Sequence, residues 1–559
     1  MAKTVEPNVA ARLKTVASLM PSAIAIAEPN GSVQPDGTRS YRALTFQALD
    51  QRSDEIARGL RLWGVEPGMR LVMLVPFSSL FIELVFGLLK AGVVVVLIDP
   101  GMGRKHLIKC LRESNADGFV GIPKAQAIRT LLRKQFPNAV WNVTVGRRWF
   151  WRGKTLDQLV RLGQTSADVS AVEPREMRDA AAVIFTTGST GPPKGVLYTH
   201  GTFHSQIDRI RERYDIHRGS KDLACFPLFG LFDAVMGVTT VIPDMDPTRP
   251  ADVNPRRLVE AVEQWEIDQA FGSPALWNRV VRWAEKEGVT RPFPTLKRIL
   301  SAGAPVPAAT LQGLRQLVHE EADIVTPYGA TEALPIASIE SRQVIAETGP
   351  AAEKGKGTCV GSRFDGVQWR VIEISDDPIA ELNQTVEVER GKIGELMVAG
   401  PMVTRQYVVR SDQNAMHKVA DGTRIWHRMG DLGYLDPQDR FWFCGRKAHR
   451  VTTSERTLYT IPCEAIFNAH PKVYRSALIG LGPNGQQTPL ILIELHPEFA
   501  GDHQVDHAQL TQELLELAAR NPLTRRIERV VIRDEPLPVD IRHNSKIFRE
   551  RLAEEYTER

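Results

Sequence analysis

The stretch from Thr186 to Lys194 concentrates the residue types that hold phosphate. It carries hydroxyls at Thr186, Thr187, Ser189 and Thr190, glycines at Gly188 and Gly191, and one cation at Lys194. Glycines let successive backbone N–H groups turn toward one anion, hydroxyls add donors, and a lysine supplies a point charge. The apolar run from Ala181 to Phe185 just before it reads as a strand that delivers the loop. The spacing is not that of the common P-loop, which ends in Gly-Lys-Ser/Thr; here Lys194 follows Pro193 and precedes Gly195. A plain polar surface turn is the competing explanation, but two prolines and a lysine inside such a run are unusual for a linker.

Further segments follow in a set order: Ser301-Ala302-Gly303-Ala304-Pro305, Tyr328-Gly329-Ala330-Thr331-Glu332, Trp426 to Gly430-Asp431, Gly445-Arg446, and Lys546 near the C-terminus. With the first loop they resemble the motifs of the adenylate-forming superfamily of acyl-CoA synthetases, luciferases and peptide-synthetase adenylation domains. The stretches 326–335, 357–361, 443–450 and 540–547 are most similar to the β-lactone synthetases of bacterial long-chain olefin biosynthesis. The resemblance covers nearly the whole chain.

It implies ATP and Mg²⁺ as cofactors and a 2-alkyl-3-hydroxy fatty acid as substrate. The carboxylate would displace pyrophosphate from ATP, and the 3-hydroxyl would then close onto the acyl-adenylate, giving a β-lactone and AMP. Attack of one anion on another needs surrounding cations and donors. By this analogy Thr186 to Lys194 hold the β- and γ-phosphates, and Thr331 bonds the α-phosphate. Glu332 and Thr187 hold Mg²⁺, a hard ion usually bound by one or two carboxylates plus phosphates. Tyr328 with Gly329 and the Gly303-Ala304-Pro305 turn contact the adenosine, Tyr328 by stacking. Asp431 takes the ribose hydroxyls with Arg446 in support, and Lys546 is the catalytic cation, delivered when a C-terminal lid closes. Taken one at a time, Thr331-Glu332 would read as a helix cap, Gly430-Asp431 as a turn and Lys546 as a solvated lysine.

Departures from the family pattern bear on the second step. Arg450 to Arg456, just after the expected hinge, contains no glycine, Ala448 stands where many relatives have an acid, and Pro227-Leu228-Phe229-Gly230 lacks the usual histidine. These read as weaker demand for a CoA channel, with Gly230 leaving room for a branched acid. Intramolecular attack by the 3-hydroxyl needs no second substrate and gains ~7–11 kcal/mol from orientation. An acyl-CoA or other acyl-adenylate ligase is the alternative; a catalytically silent relative is disfavoured by intact Lys194, Thr331, Glu332, Asp431 and Lys546. His204, His217 and His449 are candidates, by residue type alone, for the base that takes the hydroxyl proton. Phe229, Gly230, Phe232, Leu276 and Ala302, with Phe271 and Trp277, are candidates for an apolar acyl pocket.

The elements that must position these residues read as α/β: a large N-terminal α/β domain with a β-rich subdomain, and a small mobile α+β C-terminal lid. The division is expected between 444 and 445, giving an acyl-adenylating unit 1–444 and a lid 445–559. Leu71 to Val75, Ser79 to Ala91 and Val93 to Ile98 read as a parallel βαβ unit rather than a membrane span, because Pro76, Glu83 and Lys90 interrupt the apolar run. Gln47 to Trp63 and Pro274 to Glu287 read as helices, Ile299-Leu300 and Asp323 to Val325 as strands feeding the two glycine turns. The β-rich texture begins near Gly391, and Ala352 to Gly357 reads as a flexible charged loop.

At 559 residues the chain exceeds one hydrophobic core. A net charge of +4 and the lack of any nucleic-acid-binding motif argue against a nucleic-acid partner. Five scattered cysteines with no Cys-x-x-Cys pair fit a reducing compartment and argue against a zinc site. No signal peptide or integral membrane segment is expected. The resemblance implies a cytoplasmic enzyme, membrane-associated only through assembly with other olefin-pathway enzymes. No patch read from the sequence marks where such partners would dock.

Overall fold

The computed structural model describes residues 6–166, 169–186, 192–499, 505–540 and 546–557. Two large sheets form the N-terminal part. The first has eight strands, running from Tyr407–Val409 through Gly195–Thr199, Ala180–Phe185, Val94–Leu97, Arg70–Leu74, Gly118–Gly121 and Trp141–Thr144 to Lys154–Thr155. The expected βαβ unit is its centre: Arg70–Leu74 pairs parallel with Val94–Leu97, and helix Ser79–Lys90 makes the crossover. That helix is buried almost all round, and its Lys90 ammonium meets Asp50 and Asp54 at 2.5 Å each. Such a buried charge survives only because it is paired.

The second sheet has nine strands. It carries Gln269–Gly272, Arg298–Ser301 and Asp323–Ala330 as parallel neighbours, and Ala333–Glu340 as an antiparallel return. Thr331 and Glu332 form the two-residue turn of that hairpin, so they do not start a helix. The turn belongs to a strand pair because Ala330 lies opposite Ala333 in its register.

The β-rich region starts earlier than its composition suggested. Its sheet already includes Thr358–Cys359 and Gln368–Ile372, and continues through Gly394–Ala399, Arg424–Leu435 and Phe441–Arg446. Nor is 352–356 a loop. It is a helical turn anchored by its buried Gly355, which packs against Pro462 and Leu523 while Glu353, Lys354 and Lys356 stay exposed.

Strand Phe441–Arg446 pairs along its length with Arg424–Leu435, and the expected 444/445 division falls inside it. The chain leaves that sheet after Arg446. Gly445 sits at φ +134° with the Thr460 hydroxyl where a Cβ would stand, a place only glycine can occupy. The C-terminal residues build a three-stranded sheet of Val473–Leu481, Thr488–Leu495 and Val530–Ile532, with helices Thr460–Asn468, His507–Ala519 and Arg549–Thr557 and apolar clusters of their own.

One buried ion pair fixes the junction. Arg428 and Glu395 are both fully buried; Arg428 Nη2 meets Glu395 Oε2 at 2.6 Å and also donates to Ser375 O, while Lys447 Nζ reaches the same carboxylate at 3.1 Å. Removing one partner strands a charge in the interior. Arg428→Leu is therefore expected to lower unfolding free energy by about 3–5 kcal/mol in urea denaturation, and adding Glu395→Leu to recover most of the loss.

Candidate active site

Strands Ala180–Phe185 and Gly195–Thr199 form an antiparallel hairpin whose tip is the phosphate-type loop. Thr187, Gly188, Ser189, Thr190 and Gly191 lie outside the described residues. The loop base is closed by two bonds of 3.0 Å: the Thr186 amide donates to Lys194 O, and the Lys194 amide donates to Thr186 Oγ1.

Lys194 Nζ lies 3.1 Å from His417 Nε2 and 5.1 Å over the Tyr407 ring. Burial lowers the Lys194 pKa, and the Glu332 carboxylate opposes that shift. Lys418 Nζ also lies over the Tyr407 ring, at 5.4 Å, and donates to Thr404 O at 2.6 Å. Burial, against the pull of Glu332, takes the Lys418 pKa down to about 7. Tyr407 Oη donates to Glu332 Oε1 at 2.7 Å. Burial first, and the Lys194 charge second, bring the His417 pKa down to about 4, so the imidazole is neutral at neutral pH and accepts from Lys194.

The same hairpin that holds Glu332 carries Tyr328 into a second polar network. Tyr328 Oη donates to Asp431 Oδ2, and Arg446 Nη1 pairs with Asp431 Oδ1 at 2.5 Å. Asp431 faces Arg446 directly across the strand pair, which explains the geometry; it lies within Arg424–Leu435 rather than in a free turn. Arg446 is held firmly protonated, chiefly by Asp431. The Tyr328 phenol is pushed up by burial first and Asp431 next, so it stays a donor. Tyr198, on the phosphate-loop hairpin, donates to Thr331 O at 2.5 Å and ties the two hairpins together. The Gly303-Ala304-Pro305 turn follows strand Arg298–Ser301, next to Asp323–Ala330, with Gly303 at φ +103°.

The apolar candidates divide between two faces. Phe229 stacks on Phe271 at 3.7 Å, and Phe229, Phe232 and Ala302 belong to one apolar cluster with Tyr328. Leu276 and Trp277 are fully buried in a separate core, on the side of strand Gln269–Gly272 away from Phe271. Alternation along the strand separates them. Gly230 does not open a space: a Cβ there would meet Ile82 at 3.1 Å and Phe77 and Thr240 at 3.2 Å, so neighbours already occupy it.

Beneath the Phe229 helix, Asp233 and Asp222 are buried together, with Thr240 Oγ1 3.2 Å from Asp233 Oδ2. Burial raises Asp222 to about 7 and Asp233 well above the usual carboxylate range, with each other's proximity adding to Asp233. A raised carboxyl holds its proton in the folded state where the unfolded chain has released it, so stability is lost as pH rises from about 4 through about 7. Asp233→Asn removes one of the carboxylates. Its melting temperature is expected to rise relative to the parent at pH 8 and to differ little at pH 5; a uniform shift would contradict the buried-acid assignment.

Lys546 follows residues 541–545, which are outside the described set. Its amide donates to Asp540 Oδ1 at 2.8 Å, and Asp540 returns a bond to Lys546 O at 3.1 Å. The three candidate histidines turn elsewhere. His204 is held by Arg12 and Pro7 O, His217 pairs with Asp215 in solvent, and His449 pairs with Glu550. His417, Lys418, Tyr407 and Tyr198 are the additions the sequence did not announce. Their partners lie between 10 and 223 positions away and leave no local pattern.

The arrangement gathers the partly buried Lys194, the buried Lys418 and the Glu332 carboxylate near the base of a loop whose residue types suit phosphates. Among the described residues no group of three or more His, Cys, Asp or Glu could hold a metal. A lone Glu332 carboxylate, with phosphate oxygens completing the shell, fits Mg²⁺ and would not suffice for a metal that needs an all-protein cage.

Residues 15–408 match the family described as AMP-binding enzyme. The chain is 44% identical to the olefin beta-lactone synthetases of Xanthomonas campestris pv. campestris and of Stenotrophomonas maltophilia. Each match covers 98% of this chain and 97% of the relative. Among solved structures, ATP-bound MatB from Rhodopseudomonas palustris superposes with a TM-score of 0.76 at 20% identity over 99% of both chains. MenE from Bacillus subtilis, with ATP and a magnesium ion, does so at 0.72 and 20%, over 97% of this chain and 98% of that one.

Proposed function

We propose the following for a chain that belongs to the AMP-binding enzyme family and is an adenylate-forming ligase: it converts a 2-alkyl-3-hydroxy fatty acid and ATP to a β-lactone, AMP and pyrophosphate. A carboxylate oxygen of the acid bonds the α-phosphorus as pyrophosphate leaves. The 3-hydroxyl oxygen then bonds the acyl carbon and gives up its proton, and AMP departs with the carboxylate oxygen. Strain in the four-membered ring is offset by the reactivity of the mixed anhydride.

The observation that supports this reading is the convergence of two polar networks on one hairpin. Tyr328, Asp431 and Arg446 are hydrogen-bonded together, where Asp431 would take the ribose hydroxyls, and four residues on Glu332 joins Tyr407, over whose ring Lys194 lies, on the phosphate side. Thr187 and the glycines and hydroxyls of the loop would complete the phosphate cradle. Mg²⁺, held by Glu332 and phosphate oxygens, would supply neutralising charge. Lys546 would bridge the carboxylate and α-phosphate. Phe229 and Phe271 would line the start of the acyl channel. The 44% relatives supply the choice of product.

The test is incubation of the purified chain with ATP, Mg²⁺ and a synthetic 2-alkyl-3-hydroxy acid, with and without CoA, followed by mass spectrometry. Lactone with equal yield in both arms is expected. Thioester formed only with CoA would overturn the choice of acceptor and leave the adenylating step standing.

A further inference from the structure

The outer edge of the first sheet carries a face that the adenylation site does not use. Residues 118–156 contain eight lysines and arginines and no aspartate or glutamate, in a chain whose whole net charge is +4. The segment folds as strand Gly118–Gly121, helix Pro123–Leu131, strand Trp141–Thr144 and the edge strand Lys154–Thr155. The loop before that last strand lifts Trp149 and Phe150 into solvent, where they are 67% and 72% exposed.

The loop tip is built rather than loose. Trp151 is buried beneath it and donates Nε1 to Thr144 Oγ1 at 2.9 Å. It stacks with Trp149 at 6.4 Å and meets Phe150 edge-on at 5.2 Å. Arg148 closes the loop onto Gly153 O, and Arg147 and Arg152 stand exposed on either side of the aromatics. Gly146 lies against Pro123, so the loop adjoins the start of helix Pro123–Leu131. Gln126 fixes the inner face of that helix to Phe119 O and Val143 O. Its outer face shows Lys124, Ile128 and the 80% exposed Leu131.

We propose that this face docks on the anionic surface of a lipid bilayer, with Trp149 and Phe150 seated among the headgroups. Tryptophan favours the membrane–water interface, where an apolar ring and a polar edge are both accommodated. Clustered lysines and arginines are drawn to an anionic leaflet, and a surface pairing cations with exposed aromatic and aliphatic side chains is what interfacial binding uses. A nucleic acid would employ the cations and stacking rings but would gain nothing from Ile128 and Leu131, and one face of Trp149 is already taken by Trp151. The proposal does not depend on which acid is the substrate.

The experiment is flotation of the full chain with vesicles of phosphatidylcholine alone and with about 30% phosphatidylglycerol, in about 0.1 M and about 1 M salt. Binding to the anionic vesicles at low salt, at least tenfold weaker at high salt, is expected. Trp149→Ser/Phe150→Ser and Arg147→Glu/Arg148→Glu should each cut the bound fraction about tenfold. Melting temperature and ATP–pyrophosphate exchange should stay at the parent level in both, which separates lost docking from lost folding or chemistry. Brominated lipid should quench tryptophan fluorescence in the parent more than in a Trp149→Phe variant. No binding to anionic vesicles, variants that bind like the parent, or loss in the variants only of self-association or of poly(U) binding would each overturn the proposal.

Discussion

Lys546→Ala is expected to lower the adenylation rate by about 10²–10³-fold, the usual loss when one pre-positioned donor to developing charge is removed. Two backbone bonds at this residue survive the change: its amide to Asp540 Oδ1 and its carbonyl from the Asp540 amide. Alanine retains both. If Lys546 bridges the carboxylate and α-phosphate, the loss falls on ATP–pyrophosphate exchange. A chemically prepared 2-alkyl-3-hydroxyacyl adenylate should still close to lactone at close to the parental rate. Exchange at the parental rate in the variant would refute the role of Lys546. Equal loss in both assays would make it a cation for the second step as well.

Glu332→Gln should cost a similar factor in kcat/KM for ATP, about 10²–10³-fold, with the Mg²⁺ dependence moved to higher concentration. Glutamine keeps an oxygen for the Tyr407 hydroxyl, so the 2.7 Å bond survives and the fold is preserved. What disappears is charge. Glu332 is the hard ligand proposed for the metal, and it is also the anion that opposes the burial-driven fall of the Lys194 and Lys418 pKa values. Without it Lys418, at about 7 in the parent, should titrate lower still. The pH–rate profile of the variant would therefore retain cationic character only at more acidic pH. A variant with unchanged Mg²⁺ dependence would move the metal role to another group.

The fold was legible where local chemistry dictates local shape. The apolar run ahead of the glycine-rich loop became strand Ala180–Phe185, and the apolar stretches around residues 71–75 and 93–98 became the parallel pair Arg70–Leu74 and Val94–Leu97. The residues proposed for the nucleotide were picked out by short motifs, and the structure brings three of them together: Tyr328 on one hairpin, and Asp431 opposite Arg446 on another strand pair. Three features escaped. The 352–356 segment is charged and glycine-containing, yet it forms a helical turn whose Gly355 is buried against Pro462 and Leu523. Gly230 suggested space, but Ile82, Phe77 and Thr240 close on it from distant elements. The Lys194–His417 contact spans 223 positions, and nothing near either residue encodes it. Composition reports what a segment could do in water; these outcomes depend on what the rest of the chain brings against it.

Oxygen tracing tests the central claim most directly. The acid is prepared with both carboxylate oxygens as ¹⁸O, turned over with ATP, and the products are weighed. Carboxylate attack on the α-phosphorus followed by 3-hydroxyl closure places one ¹⁸O in AMP and one in the lactone carbonyl, with the ring oxygen unlabelled. If instead the 3-hydroxyl were the activated group and the carboxylate displaced it, both labels would remain in the lactone and AMP would carry none, and the adenylation account would be wrong.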